Sequence, residues 1–242
     1  MTFSIVARCS RTGMLGVAVA TAVPAVGAMC PYVLTGVGAV STQSWVNPYL
    51  ALDALDLVAD GMSGPDALSA VIDRDEGREL RQVGIVDAEG RAAAWSGVHC
   101  TPWVGHRVID NCAVQGNMLT GAKVLDDMLA AFRASADLDL AERLMRALEA
   151  GDAAGGDKRG RQSAALTVHH REAYPLVELR VDEHARPVAE LRRVLGVARL
   201  QLLPFVVGMP SRDGPGTAAP DAVVRMLGLA PPDRPGGGGS AP

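Results

Sequence analysis

The second residue of the chain combines two groups that could act together in nucleophilic catalysis. Thr2 follows Met1, and its small side chain permits an aminopeptidase to remove that methionine. Removal would leave a free α-amine beside the hydroxyl of the same residue, so one residue supplies both nucleophile and general base. An α-amine titrates near pH ~7.7–8.0 and can therefore act as a base near neutral pH. Threonine also favours β-strands, and on Thr2 alone this plainer interpretation remains open.

A glycine-rich segment concentrates charge directly before a predicted strand. It spans residues 155–163, where glycines permit tight turns. One interpretation is an active-site loop in which Asp157 orients the Thr2 amine and an arginine binds a substrate carboxylate through two hydrogen bonds. The alternative is a solvated loop with surface ion pairs. Its candidate residues are Asp157, Lys158, Arg159, Arg161, Gln162 and Ser163.

Amide side chains lie near the ends of two other predicted strands. Asn117 or the Gly116 N–H could donate a hydrogen bond to a developing oxyanion, with Gln115 in the same pocket. A strand-end asparagine can equally satisfy a turn. Gln43 lies at the end of the predicted strand 36–43, next to Ser44 and near Trp45, and suggests the polar rim of a pocket, although capping of the next helix explains the same residues.

Hydrophobic periodicity and turn residues predict the elements that must position these groups. Thr2–Cys9 and Met14–Thr21 form a hairpin, and Pro48 follows Asn47 as the first residue of a helix. The other expected strands are 36–43, 82–86, 91–96, a single extended segment 107–119, 163–169 and 174–181. The other expected helices begin near Ser63, at Ala122, at Leu138 with Asp137 as its cap, and at Pro187.

The order of these elements predicts an α+β protein. Strand groups separated by helix pairs suit a four-layer αββα sandwich of two stacked, mainly antiparallel sheets flanked by helices. We expect this domain to span residues 1–195. A short extension over 196–230, with one helix near 219–229, and a flexible Pro/Gly tail over 231–242 would follow.

Composition indicates which classes of partner and which cell compartment to expect. A net charge of −4, with basic residues scattered along the chain, predicts no nucleic-acid partner and no membrane partner. The apolar run 14–28 resembles a targeting segment, but glycines and prolines divide it into strand-length pieces. We therefore expect a cytoplasmic protein, and a secreted protein with an N-terminal targeting segment is the alternative. The four cysteines predict reduced, mostly buried thiols in a cytoplasm.

The cysteines and histidines do not indicate a metal site. No Cys-x-x-Cys pair occurs, and His169 and His170 are adjacent in a strand, so their side chains face opposite ways. His99 and His106 flank a loop and suggest ordinary surface residues. We therefore expect neither a metal nor an organic cofactor.

Several segments of the chain resemble the bacterial family called domain of unknown function 1028, which is placed in the N-terminal-nucleophile (Ntn) hydrolase superfamily. The resemblance covers Thr2 to about Leu195, and its most specific segment is the glycine-rich Gly155–Leu166. The other matching segments are Thr2–Arg8, Gly36–Gln43, Asn47-Pro48, Arg81–Asp87 and Val114–Asn117.

The resemblance implies the αββα Ntn fold and amide-bond hydrolysis through a terminal threonine. Thr2 would be the nucleophile, Asp157 and Asn117 would assist it, and the substrate would be a small-molecule or peptide-like amide. Several Ntn enzymes place a lysine near the nucleophile, and this chain offers only Lys123 and Lys158. The alternative is a non-catalytic ligand-binding or cell-wall-associated module on an inactive Ntn scaffold. Ntn folds often associate, so a homo-oligomer is possible.

Overall fold

The N-terminal hairpin lies at the centre of the larger of two β-sheets. The structure, a computed structural model, describes residues 2–216 and 220–241. Strand β1 (Thr2–Arg8) pairs antiparallel with β2 (Leu15–Thr21), and both are almost entirely buried. A sheet covered on both faces favours continuous apolar strands, which explains the long uncharged sequence here.

Two sheets with antiparallel pairing are stacked face to face. The larger contains β1, β2, β7 (Gly105–Ile109), β8 (Cys112–Asn117), β9 (Ser163–His169) and β10 (Val177–Val181). Its six strands are ordered β10-β9-β2-β1-β8-β7. The smaller contains β3 (Pro31–Leu34), β4 (Gly38–Ser44), β5 (Arg81–Asp87) and β6 (Ala92–Ser96) in that order.

Helices cover the outer face of each sheet. Helices α1 (Pro48–Ala59) and α2 (Gly64–Arg74) pack on the smaller sheet. Helices α3 (Lys123–Ala134), α4 (Leu140–Ala153) and α5 (Pro187–Gln201) pack on the larger sheet. Two shorter helices follow, α6 (Leu203–Val206) and α7 (Asp221–Leu227). The predicted α+β, four-layer αββα architecture is confirmed.

Alternation along β1 divides its side chains between two apolar layers. Phe3, Ile5 and Ala7 pack under helices α3 and α4, whereas Val6 packs against the smaller sheet. Because successive residues of a strand point to opposite faces, Thr2 and Ser4 share the inter-sheet side with Val6. The fold thus places the Thr2 side chain between the two sheets.

Local signals explain the first two helices. The Asn47 side chain accepts a hydrogen bond from the Tyr49 N–H at 3.2 Å and caps α1, as predicted. The Ser63 hydroxyl accepts from the Asp66 N–H at 3.2 Å and caps α2. Both caps satisfy a backbone donor that lacks a partner inside its own helix.

Several predicted boundaries are corrected by the structure. The extended segment 107–119 is two strands joined at Asp110-Asn111, because Asn111 adopts a left-handed conformation (φ 65°) that turns the chain. Asp139 caps α4, since its carboxylate accepts from the Glu142 N–H at 2.9 Å, and Asp137 does not hold that position. Strand β3 was not predicted, and β10 begins at Val177 rather than at Tyr174.

The C-terminal region is joined to the main domain by α5. This helix runs continuously across residue 195, where the sequence suggested a domain boundary. The tail contacts it, because the Gln201 Nε2 donates to the carbonyl oxygens of Pro235 at 3.0 Å and Gly237 at 2.9 Å. The helix expected near 219–229 is α7, and its first predicted residue lies outside the described residues. No helix in the described part of the chain is both long and apolar enough to span a bilayer.

Candidate active site

Three neighbouring strands of the larger sheet place polar residues in one row beside Thr2. Thr2 pairs with Thr21 of β2 on one side and with Asn117 of β8 on the other. Thr21 in turn pairs with Ser163 of β9. The antiparallel order brings the start of β1 to the ends of β2 and β8, so residues far apart in sequence meet at this edge.

The Thr2 side chain is held within this row. Its Oγ1 lies 3.3 Å from the Thr21 Oγ1, in hydrogen-bond distance, and the residue is 5% exposed. The predicted removal of Met1, which would free the Thr2 amine, concerns a residue outside those described. The hydroxyl pair nevertheless defines where a Thr2 nucleophile would lie.

A buried polar layer between the sheets supports the start of β1. We call Ser4, Gln43, Gln82, Gln115 and Asn117 the inter-sheet polar layer; each is at most 1% exposed. The Gln43 Nε2 donates to the Thr2 carbonyl oxygen at 3.2 Å and to the Gln82 Oε1 at 2.8 Å. The Gln43 Oε1 accepts from the Ser4 hydroxyl at 2.7 Å. Gln43 therefore fixes the backbone of Thr2 from the opposite sheet.

Gln82 is the most connected member of the layer, and it was not predicted as a site residue. Its Nε2 lies within hydrogen-bond distance of the Ser96 hydroxyl (2.8 Å) and the Gly116 (2.9 Å) and Gly105 (3.1 Å) carbonyl oxygens. Its Oε1 also accepts from the Asn117 Nδ2 at 3.0 Å. The sequence feature that could have identified Gln82 is an uncharged polar side chain in a largely apolar strand. Gln82 of β5 pairs with Gln43 of β4.

The two amides of β8 have different partners. The Gln115 Nε2 donates to the Ser4 hydroxyl at 2.6 Å, whereas its Oε1 is buried without a partner among the described residues. The Asn117 contact with Gln82 uses one of its two amide hydrogens. The predicted oxyanion role of Asn117 thus stays compatible with its position beside Thr2.

The charged loop is anchored next to Thr21 through its aspartate. The Asp157 Oδ2 accepts from the Ala22 N–H at 3.0 Å, and the Oδ1 accepts from the Arg159 N–H at 2.8 Å. The Arg159 guanidinium also pairs with this carboxylate at 3.2 Å, and its side chain is 38% exposed. The loop therefore presents a buried carboxylate and a partly exposed cation beside the row that contains Thr2.

The remaining candidates of this loop have contacts that stabilise its conformation. The Lys158 Nζ donates to the Pro102 carbonyl oxygen at 2.8 Å, and the Arg161 Nε pairs with Asp152 at 2.6 Å. The Gln162 N–H donates to the Thr21 carbonyl oxygen at 2.8 Å. The Ser163 hydroxyl bonds to the backbone of the loop after β2, at Val23 O (2.6 Å) and Val26 N (3.1 Å).

A left-handed residue is the last of one site strand, β4, and another directly follows the site strand β8. Ser44 (φ 71°) comes directly after Gln43, and Met118 (φ 51°) comes directly after Asn117. Such conformations are disfavoured for residues other than glycine and are frequent at functional sites. Beyond Ser44, Trp45 is 70% exposed and provides an aromatic surface near this edge of the sandwich.

Burial shifts the pKa values of two titratable side chains toward the neutral form. Burial lowers the pKa of His106, with a smaller contribution from Arg107, and its Nδ1 lies 3.0 Å from the Ser96 hydroxyl. This half-buried histidine is thus more enclosed than the surface residue that we expected. Burial raises the pKa of Cys30 to about 12, so its thiol is uncharged at neutral pH.

A cavity is lined by described residues away from this row. It measures about 280 Å³ and lies between the β9–β10 connection and the C-terminal segment. It contains none of the predicted site residues. Its lining includes His170, Arg171, Glu172, Tyr174, Val206 and Met209.

The described residues also include no group of three histidine, cysteine or acidic side chains that could bind a metal ion.

The chain is an αββα sandwich protein, because two stacked sheets lie between helical layers. Its central strand begins with a threonine. The model of a family of unknown function, DUF1028, matches residues 2–191. The chain belongs to this family.

One solved structure of the same family supports this assignment. Protein SPO2555 from Silicibacter pomeroyi, of the same family, is 31% identical with a TM-score of 0.83, over 91% of this chain and 96% of that chain. HslV from Trypanosoma brucei is 12% identical with a TM-score of 0.42, over 69% of this chain and 98% of that chain. Anbu from Yersinia bercovieri is 13% identical with a TM-score of 0.37, over 86% of this chain and 98% of that chain. The last two scores are low, and neither likeness carries an argument about activity. No curated protein matches the chain.

Proposed function

We propose that this protein is an Ntn-type amidohydrolase that cleaves a small amide, lactam or peptide-like C–N bond through Thr2 after removal of Met1. The observation that carries the proposal is the position of Thr2 at the start of the central strand. Its hydroxyl lies in the row with Thr21 and Asn117, and the carboxylate of Asp157 is anchored at Ala22, the residue after Thr21. The proposal also rests on the Ntn resemblance of the family.

Each group in the row has a role in the proposed reaction. The Thr2 hydroxyl attacks the substrate carbonyl while the Thr2 α-amine accepts its proton, and the protonated amine then donates that proton to the leaving nitrogen. The Asn117 amide stabilises the developing oxyanion. A water molecule, deprotonated by the same amine, releases the acyl group and restores the hydroxyl. No metal or organic cofactor takes part in these steps.

The supporting residues keep the nucleophile in one orientation. Gln43 fixes the Thr2 carbonyl from the opposite sheet, and Thr21 contacts the hydroxyl. Asp157 lies next to Thr21 along the sheet edge and orients the amine. A group held in a reactive geometry lowers the entropic part of the activation barrier, which is the benefit of such a rigid setting.

The exposed part of the charged loop is the proposed substrate-binding surface. The Arg159 guanidinium is partly exposed while it contacts Asp157, so it is accessible to a substrate carboxylate. Arg161 and Lys158 shape the loop through Asp152 and Pro102. The substrate is therefore proposed to carry an anionic group near the scissile amide.

Covalent labelling tests the nucleophile directly. An acylating probe directed at amide hydrolases should modify the N-terminal peptide, and intact mass should show that Met1 is absent. Thr2→Ala keeps a small second residue, so Met1 is still removed, but the adduct should be lost. Thr2→Ser should retain labelling, and Ser69→Ala, which removes an exposed hydroxyl of α2, should label normally.

Two outcomes contradict the proposal. A mature chain that retains Met1 has no free Thr2 amine, and a probe adduct that persists in Thr2→Ala places the reactive group elsewhere. If Thr2→Ala instead leaves a measurable ligand affinity unchanged and no labelling occurs in any variant, the chain is a non-catalytic ligand-binding or cell-wall-associated module.

A further inference from the structure

A hydrogen-bonded network of side chains leads from a histidine on an edge strand of the larger sheet to the proposed active site. The His106 Nδ1 on β7 lies 3.0 Å from the Ser96 hydroxyl on β6. That hydroxyl lies 2.8 Å from the Gln82 Nε2, and the Gln82 Oε1 lies 3.0 Å from the Asn117 Nδ2. Asn117 pairs with Thr2 across β8 and β1. We call His106, Ser96, Gln82 and Asn117 the histidine network.

Backbone carbonyl groups fix the orientation of the Gln82 amide. One end of this amide faces the carbonyl oxygens of Gly116 at 2.9 Å and Gly105 at 3.1 Å, and a carbonyl oxygen can only accept. The atom at this end is therefore the Nε2, whose two hydrogens are shared among these carbonyls and the Ser96 hydroxyl. The other end is the Oε1, which accepts from the Asn117 Nδ2.

The orientation of Gln82 in turn selects one protonation form of His106. The Ser96 oxygen accepts from Gln82, and the His106 Nδ1 is the only other hydrogen-bond partner of this hydroxyl among residues 2–216 and 220–241. The hydroxyl therefore donates its hydrogen to the Nδ1, which must carry a lone pair. Because an imidazolium has a hydrogen on both nitrogens, the network selects the neutral ring with its hydrogen on the Nε2.

The surroundings of His106 favour the same neutral form. Burial lowers the pKa of the imidazole, with a smaller contribution from Arg107. Arg107 pairs with Asp126 of α3 at 2.9 Å, so this acid lies on the opposite face of the sheet from His106. The adjacent strands β6 and β8 contain no charged residue, and burial raises the pKa of Cys112 on β8 to about 12, so its thiol is uncharged. Neither strand therefore offers a carboxylate that would stabilise a protonated imidazole.

We propose that neutral His106 is a positioning residue for the Asn117 amide, the oxyanion donor of the proposed function, on which this inference rests. The His106 Nδ1 orients the Ser96 hydroxyl, and that hydroxyl holds the Gln82 amide. The Gln82 Oε1 then accepts one hydrogen of the Asn117 amide and leaves the other for the oxyanion. Protonation of His106 at the Nδ1 removes the acceptor of the Ser96 hydroxyl and loosens this arrangement.

The pH dependence of acylation at Thr2 tests the proposal. The probe is a β-lactone, which the Thr2 hydroxyl opens to form an ester, and the measurement is the labelling rate of the N-terminal peptide. Protonation of the α-amine, which titrates near pH ~7.7–8.0, should slow labelling about tenfold per pH unit. Below the pKa of His106, which lies under the usual ~6.5, the rate should fall more steeply because a second group is then protonated.

Variants of His106 separate positioning from general stability. His106→Leu removes the acceptor and should slow labelling at neutral pH roughly tenfold, less than the loss of an oxyanion donor. His106→Asn offers an amide oxygen near the position of the Nδ1 and does not titrate, so it should restore most of the rate and lack the steeper limb. His99→Asn, the control in the exposed loop before β7, should keep that limb. A steeper limb that persists in His106→Asn overturns the inference.

Nuclear magnetic resonance of the native protein tests the network without any activity. The side-chain amide signals of Gln82 and Asn117 should shift together with the titration of the His106 ring. In Ser96→Ala the ring should still titrate while the Asn117 signal stays constant. A native Asn117 signal that does not follow His106 overturns the inference. If it follows His106 but no variant is labelled, the network is supported, and its catalytic role fails together with the proposed function of Thr2.

Discussion

Replacing Gln82 by methionine tests whether the inter-sheet polar layer stabilises the sandwich. The substitution roughly preserves side-chain volume but removes all five hydrogen-bond contacts of the Gln82 amide, whose two N–H hydrogens are shared among three acceptors. Gln43 keeps its bond to Thr2, and Ser96 keeps its contact with His106. The Asn117 amide and the carbonyl oxygens of Gly116 and Gly105 each lose the partner that Gln82 provided.

The expected cost follows from these three groups. A buried polar group left without its partner costs about 1–3 kcal/mol, so Gln82→Met should lower the free energy of unfolding by about 3 kcal/mol or more. Gln115→Met is the matched control in the same layer. It removes only one bond, to Ser4, together with an Oε1 that has no described partner, and it should cost about 1 kcal/mol or less.

Urea denaturation followed by circular dichroism measures the difference. With a denaturant slope of about 2–3 kcal/mol/M, Gln82→Met should shift the midpoint down by roughly 1–1.5 M and Gln115→Met by much less. Slopes must stay equal for the comparison to hold. Equal midpoints for the two variants would show that the number of hydrogen bonds in the layer does not set its contribution to stability, and the reasoning would be refuted.

Three further stability predictions concern the helices and the central sheet. Burial alone would raise the pKa of Glu142, but hydrogen bonds from Arg192 and other arginines lower it from 4.5 to about 2. A folded-state pKa below the unfolded value contributes stability above about pH 4.5, and this stability is lost as the pH falls toward 2. Glu142→Gln should therefore remove about 1–2 kcal/mol from the acid limb of a stability–pH profile. An unchanged acid limb would contradict this prediction. Gly196→Ala in α5 meets no atom within 4 Å and should raise the thermal midpoint through about 0.5–1 kcal/mol of helix propensity. Gly16→Ala in β2 would place its Cβ 2.7 Å from the Thr167 carbonyl oxygen and should cost about 1–3 kcal/mol of stability, so its thermal midpoint should fall in the same scan. If the midpoints of both glycine variants shifted in the same direction, the space around each Cβ would not decide the outcome.

Local sequence signals were sufficient for most of the secondary structure. Asn47-Pro48 and Ser63 identify the first two helices because a cap and its first turn lie within a few residues of each other. The boundaries that differ, at Asn111 and Asp139, depend on which of several neighbouring polar residues adopts the turn or cap conformation. Adjacent candidates such as Asp137 and Asp139 differ too little locally for the sequence to choose between them.

The site was predictable in part for the same reason. Thr2, Gln43 and Asn117 could be recognised because each lies at a strand end within a segment typical of the family. Gln82 was missed because its partners lie in β4, β6, β7 and β8, which meet only when the two sheets stack. The ion pair of Arg161 with Asp152 likewise depends on the path of the loop.

The sequence by itself determined most of the strands and helices in their order, the caps of the first two helices and the apolar faces, because these depend on neighbours one to four residues apart. Only the tertiary structure decided that Thr2 lies against Thr21, that Gln82 connects both sheets, and that Arg143 is buried over the Phe132 ring. On a helix an arginine is ordinarily a solvated residue. Its burial, like the partners of a buried amide, is set by which surfaces the long-range packing covers.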